Sequence, residues 1–427
     1  MRVEWLREGD PWPSTEDVEL REKLSDNGAL TFGSSGRLNI RFVGVIVHRD
    51  RTLVSLPKVP TTAHPMNVHR QVLRAMRHYQ KWIPSHHEPS PFLNDRPEMG
   101  SVSGLAAADW MIRDFLDHGL LRRMEVAHEV NGSGTVNWRH TVELVPAAMS
   151  RGRPVYLDTI TRRSETDNRN FATRLHRYLL ERLSSEYGPV LDLEPVVLDH
   201  EPVEQLDALP PAEECEARLI AEQRQTYSQR GIDLLEMMIA TVRSLEMENS
   251  LGLSLYGTSY FHHVWEAACA AAFGNDVEKW LPYLPRPCWT ATDGSSAETD
   301  TFIPDLVTIV SQGELLIGDA KYYRPSMPPM LGNVPGVNDV AKQIWYKECL
   351  IEEAAKQGYG SILNAFLFPA DTTKVSLMGC VELPAGGARV DAIAVPFLFA
   401  LAAYAGDKPH DPSTWRTVLA NAIKGIL

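Results

Sequence analysis

Residues 301–323, TFIPDLVTIVSQGELLIGDAKYY, hold two runs of β-branched and apolar residues on either side of Ser311-Gln312-Gly313. The pattern predicts two strands joined by a tight turn. With a three-residue loop, Val310 pairs with Glu314, and counting outward sets Asp305 opposite Asp319, about 5.5 Å apart between α-carbons. Asp319 and Lys321 are two apart on one strand, so both side chains leave the same face while Ala320 points away. Two carboxylates and one ammonium therefore converge on one point.

Adjacent carboxylates repel and raise one another's pKa unless a divalent cation lies between them. Hard oxygen donors suit Mg2+ or Mn2+. Such a cation polarises a phosphoryl oxygen and lowers the pKa of a bound water, while a lysine beside it orients that water or offsets charge building on the phosphate. Taken singly, the residues also fit blander roles. Asp305 after Pro304 could shape the start of a strand, and Asp319 with Lys321 could be a surface ion pair of small energetic value.

The flanking segments are helical by spacing. In SYFHHVWEAACAAAFG (259–274), Phe261, Val264, Trp265, Ala268, Cys269 and Ala272 form one apolar face with Glu266 at its margin, able to lean toward the hairpin. In NDVAKQIWYKECLIEEAA (338–355), Val340, Ile344 and Ile351 keep helical spacing, and Gln343 and Lys347 fall on one side. His262-His263 beside Glu266 raises the question of zinc. Adjacent histidines diverge by about 100° on a helix, and no H-E-x-x-H or H-x-x-x-H completes a set.

The order helix with Glu, strand with Pro-Asp, strand with Asp-x-Lys, helix with Gln matches the PD-(D/E)xK nuclease core. The match extends to FVGVIVHRDRTLVSLPK (42–58), VNWRHTVELV (136–145), YGTSYFHHVWEAAC (256–269), FIPDLV (302–307), GDAKYY (318–323) and residues 343–346. In these segments the chain resembles the LlaJI family of restriction endonucleases, which are similar to McrC-type nuclease subunits of GTP-driven restriction systems. The resemblance implies that Glu266, Asp305 and Asp319 bind Mg2+ or Mn2+, with Ala320 counted in the same metal-binding set. It implies that Lys321 is the catalytic lysine and Gln343 a helper near the substrate backbone. It further implies cleavage of double-stranded DNA in a prokaryotic restriction or anti-phage system, with a McrB-like AAA+ GTPase or ATPase as a separate motor. A second copy of the chain is another candidate partner. No G-x-x-x-x-G-K-[ST] loop occurs, and GSSG (33–36) and GTSY (257–260) lack a strand-loop-helix setting, so any motor is another polypeptide. Two competing readings are a catalytically silent nuclease-fold adaptor of a motor complex and a winged-helix DNA-binding regulator.

A formal net charge of −13 counts against tight non-specific DNA binding, which lysine and arginine drive by releasing counterions from phosphates. Locally the balance differs, because Arg122-Arg123, Arg151, Arg153, Arg162-Arg163, Arg169, Arg174 and Arg177 make the middle of the chain arginine-rich. The five cysteines are scattered without a C-x-x-C pair, which argues against a zinc ribbon or a disulfide framework. The first residues lack a signal-peptide core, and the apolar run near AIAVPFLFALAAYAG contains Pro396 and is too short to span a bilayer. A cytoplasmic protein with no membrane segment is expected.

At 427 residues the chain is expected to form an α+β or α/β multidomain protein. Residues 1–65 read as a small β module containing a hairpin over 38–60, and 66–205 as a helical, winged-helix-like domain. There RRMEVAHEV and TVNWRHTVELV flank the turn signal Asn131-Gly132-Ser133-Gly134. Residues 206–250 read as a helical linker behind an acidic, proline-marked boundary. Residues 251–427 read as the PD-(D/E)xK nuclease domain, a mixed sheet flanked by helices that folds as a module of its own.

Overall fold

The computed structural model describes residues 3–13, 18–33, 36–49, 51–82, 92–93, 104–198, 203–251, 253–311, 313–383, 388–406 and 410–425. It is a mixed α/β protein with two compact units. One combines Met1–Asp95 with Leu255–Leu427, and the other is Arg96–Ser254.

The first unit holds two five-stranded sheets. In one, β1 (Val3–Arg7), β2 (Val43–His48), β3 (Arg51–Leu56), helix α1 (Pro65–Trp82), β4 (Phe92–Leu93) and β5 (Leu253–Thr258) give the strand order β1-β3-β2-β5-β4. The expected hairpin over 38–60 is β2–β3, closed where Arg49 takes φ 56° and His48 pairs with Arg51. Its sheet does not stand as a separate N-terminal module. β2 lies beside β5, and Gly44 and Gly257 make that approach possible: a Cβ on Gly257 would fall 2.2 Å from the Val43 carbonyl oxygen. Residues 251–427 are therefore not self-contained, since their first strand takes its partner from the other end of the sequence.

The second sheet follows helix α2 (Phe261–Phe273). Strands β6 (Leu306–Ser311) and β7 (Glu314–Ala320) precede helix α3 (Val337–Lys356), and β8 (Ser361–Ala370), β9 (Ser376–Glu382) and β10 (Arg389–Pro396) follow it. Helices α4 (Phe397–Ala405) and α5 (Pro412–Lys424) complete the chain. The order is β6-β7-β8-β10-β9, with β7, β8 and β10 parallel and the outer strands antiparallel to them. The parallel strands are apolar on both faces, as burial on both sides requires. Helix α3 covers one face, its Tyr346, Leu350 and Ala354 packed on Val307, Leu315, Ile317 and Ile362. Helices α2, α4 and α5 pack on the other face, and α1 packs on α2, α4 and β3. Trp265 of α2 is fully buried, its indole N–H donating to the Leu367 carbonyl at 3.4 Å.

The hairpin of the opening stretch forms with the expected register over most of its length, Leu306 pairing with Gly318 and Val307 with Ile317. Its tip differs. Glu314 pairs with Ser311 rather than Val310, and a shift between Ile309 and Ser311 absorbs the extra residue as a bulge.

In the second unit the winged-helix-like expectation fails. The strand Met124–Val130 pairs with Ile160–Thr166, and the segment after the Asn-Gly-Ser-Gly turn contributes only Thr135–Val136 to that same central strand. Trp138–Leu144 is a helix rather than a strand. Asn137 caps it by accepting from the His140 N–H, and buried Thr141 accepts from the Ile160 N–H at 2.9 Å, so side chain to main chain bonding takes the segment out of the ladder. The stretch expected as one linker helix is two, Ala212–Gln223 and Gln229–Leu251. Part of the arginine-rich region is already neutralised: Arg123, Arg163, Arg169 and Arg177 each lie against a glutamate. Among the described residues no helix is long and apolar enough to cross a membrane.

Candidate active site

Period two along the hairpin puts Asp305 and Asp319 on the same face of the sheet as Val307 and Ile317, the face covered by α3. Asp305 sits just ahead of β6, and its Oδ2 accepts the Ala320 N–H at 2.8 Å, which ties it to the end of β7. Ala320 is thus brought into the site through its main chain, its side chain being buried. Lys321 Nζ lies 2.6 Å from Asp319 Oδ2 and donates to Asp339 Oδ1 at 2.8 Å. The Asp319 and Lys321 side chains are 16% and 18% exposed, so this is no surface ion pair.

Burial raises the pKa of Asp305 to about 7, with the charges of Asp319 and Glu266 adding to it against the opposing Ala320 N–H and Lys321. Burial likewise raises Asp319, only partly countered by the Lys321 ammonium. Burial opposes the charge on Lys321, but the carboxylates of Asp319 and Asp339 outweigh it and hold the ammonium above the ordinary lysine range. Asp339, less affected by burial, is lowered by Lys321 and by the Gly336 N–H. The site thus holds two partly buried carboxylates that resist joint ionisation, a donor set that a divalent cation would relieve.

The consequence for pH follows from the direction of the shift. A carboxyl whose folded pKa is raised contributes stability that is complete at pH below its unfolded value and is lost as pH rises through about 7. The metal-free protein is expected to melt at progressively lower temperature between about pH 4 and 7, and Asp305→Asn should flatten that slope. Thermal unfolding in a chelator across that range checks it, and equal slopes in the two proteins would refute the shift.

Glu266 projects from α2, close enough for its charge to act on Asp305, and its Oε2 lies 3.2 Å from His263 Nδ1. The ligand atoms of His262, His263 and Glu266 lie within 4.8 Å of one another, closer than the sequence alone suggested. Burial, His263, Lys58 and Arg41 disfavour the charged form of His262, while the Glu266 carboxylate favours it. Gln343 lies on the inward side of α3. It is fully buried, and both its amide atoms lack a hydrogen-bond partner among the described residues. The inward stripe of α3 runs through Val340, Gln343, Tyr346 and Leu350, with Ile344 partly buried at its edge and Ile351 exposed, which turns Gln343 onto the sheet beside Asn364. Asp339, one turn before Gln343, is the site residue that sequence reasoning missed; the i, i+4 spacing of Asp339 and Gln343 was the available signal.

Residues 42–400 match the LlaJI restriction endonuclease family. The chain belongs to that family. Over 373 residues it is 28% identical to the type II restriction enzyme BsuMI component YdjA of Bacillus subtilis (strain 168), an alignment covering 84% of this chain and 79% of the relative. Among solved structures, a chain from the tetradecameric assembly of Thermococcus gammatolerans McrB AAA+ hexamers with bound McrC aligns at TM-score 0.43 and 11% identity. That alignment covers 99% of this chain and 100% of the other. Membership of the LlaJI family makes this a nuclease subunit of a restriction system.

Proposed function

We propose that the second sheet, with α2 and α3, is a PD-(D/E)xK nuclease core that hydrolyses phosphodiester bonds of double-stranded DNA with Mg2+ or Mn2+. The observation that carries this reading is the pair Asp305 and Asp319, partly buried side by side with the Lys321 ammonium 2.6 Å from the second. Asp305 and Asp319 would hold the cation, with Glu266 as a third oxygen donor and the Ala320 main chain at its edge. The cation, when bound, supplies a polarised phosphoryl oxygen and a water of lowered pKa. Lys321 then orients the water or offsets charge gathering on the phosphate, and Asp339 holds the ammonium in place by its hydrogen bond. Gln343 acts from beneath the site, supporting α3 against β7 and β8.

We also propose an AAA+ GTPase or ATPase as a separate partner. In support, the chain has no phosphate-binding loop of the P-loop form, and its Bacillus subtilis relative is named as a component of an enzyme. The test is plasmid cleavage by the purified chain with its neighbouring-gene ATPase, nucleotide and Mg2+ or Mn2+. Cutting should vanish on chelation and return on adding metal; cleavage that persists in excess chelator would overturn the reading.

A further inference from the structure

The opening turns of α2 carry a second set of donors beside the acids. His262 and His263 lie in the first turn, and Glu266 follows them at i+4 and i+3, so one turn of helix sets the carboxylate over both rings. Consecutive histidines diverge on an ideal helix, yet here the two ring centroids are 4.0 Å apart, and Tyr260 stacks on His263. One pair of donors already has the spacing of two ligands on one ion. His263 Nδ1 and Glu266 Oε2 are 3.2 Å apart, and tetrahedral ligands bonded at about 2.0–2.1 Å stand about 3.3 Å from each other. With His262 included, the three donor atoms fall within 4.8 Å. Closing the set therefore takes a side-chain movement of about 1.5 Å, a small adjustment for half-buried rings.

The donor types select the ion. Two imidazoles and one carboxylate suit Zn2+ and its neighbours among the later transition metals, whereas Mg2+ takes oxygen ligands. Lys58 and Arg41 stand close enough for their charges to act on His262. They oppose an ion held by charge alone, and so favour one that bonds strongly to imidazole nitrogen. Mg2+ and Mn2+, at the weak end of that series, stay with the acids. Glu266 also faces the other way, since its charge acts on Asp305. One carboxylate thus stands between two places where a cation can lie.

We propose that His262, His263 and Glu266 form a site for a transition-metal dication of the Zn2+ class, with water as the fourth ligand, and that an ion there inhibits cleavage by drawing Glu266 away from Asp305 and Asp319. The inhibition rests on the nuclease reading; the binding does not. The two histidines hold the ion, and Glu266 is the residue over which the two sites compete.

The test uses the full chain, stripped of metal and titrated with Co2+, whose visible absorption bands report four-coordinate binding where Zn2+ is silent. One ion per chain is expected, without the near-ultraviolet band of thiolate ligation, and millimolar Mg2+ should not displace it. His262→Ala, and Glu266→Gln as a variant of nearly unchanged shape, are expected to weaken binding at least about a hundredfold, each with the wild-type melting temperature in chelator. Asp319→Ala should keep the ion. Absence of the bands in the wild type, or unaltered binding by both ligand variants, overturns the site, and so does their loss in Asp319→Ala, which would put the ion on the acids. In cleavage with the partner and saturating Mg2+, micromolar Zn2+ should slow the wild type at least about tenfold and leave His262→Ala unaffected. A bound ion with undiminished cleavage overturns the inhibition. Co2+ bound in the expected way by a chain that never cuts would overturn the nuclease reading and leave the ion site in place.

Discussion

Asp319→Ala is expected to abolish metal-dependent cleavage, lowering the rate by a factor of at least about 10^3, because the variant loses a ligand from a set of very few together with the anchor of Lys321. The fold should survive the change. Lys321 keeps its hydrogen bond to Asp339, and β7 is held by main-chain pairing to β6 and β8 rather than by the carboxylate. Calorimetry with Mn2+ should find the binding heat lost, while the melting temperature in chelator stays close to that of the wild type. Undiminished cutting by the variant, purified free of host nuclease, would sink the site.

Lys321→Ala should separate binding from chemistry. The ammonium competes with any cation for Asp319 Oδ2, so its removal is expected to leave metal affinity unchanged or tighter. The cleavage rate should nonetheless fall at least about a hundredfold, since a positioned cationic donor acts mainly on charge that develops in the transition state. Single-turnover kinetics at saturating metal, set beside a metal titration, distinguish the two effects. A normal rate, or an unfolded variant, would leave Lys321 a structural residue.

The reach of the sequence differs from element to element. Alternation over 305–321 carried the register that brings Asp305 to Asp319, because a strand's period of two leaves little choice once one face is buried. The helical face of α2 was equally readable: Val264, Trp265 and Ala268 are all buried where spacing put them. Helix α3 was harder. Its apolar stripe is broken by a buried glutamine, so hydropathy alone rotated it by about one position and hid both the burial of Gln343 and the part played by Asp339. WRHTVELV alternates well enough to pass as a strand, and only the Asn137 cap and the Thr141 hydroxyl decide for helix. The pairing of β2 with β5 had no local signature beyond two glycines, since nothing in a short window records a contact made across so much chain.

That pairing bears on how the protein comes into being. A chain growing from the ribosome at about 5–20 residues per second completes β2 roughly 10–40 s before β5 emerges to lie beside it, and the acids follow later still. During that interval the first strands have only part of their sheet, and β2 keeps an open edge where β5 will pair. A polypeptide ended before β5 contains the early strands without their partner strand and without the acids. The interrupted arrangement of the chain thus leaves the first sheet unfinished until β5 has been made, so strands from the two ends of that interval become one structure only after more than half of the chain exists.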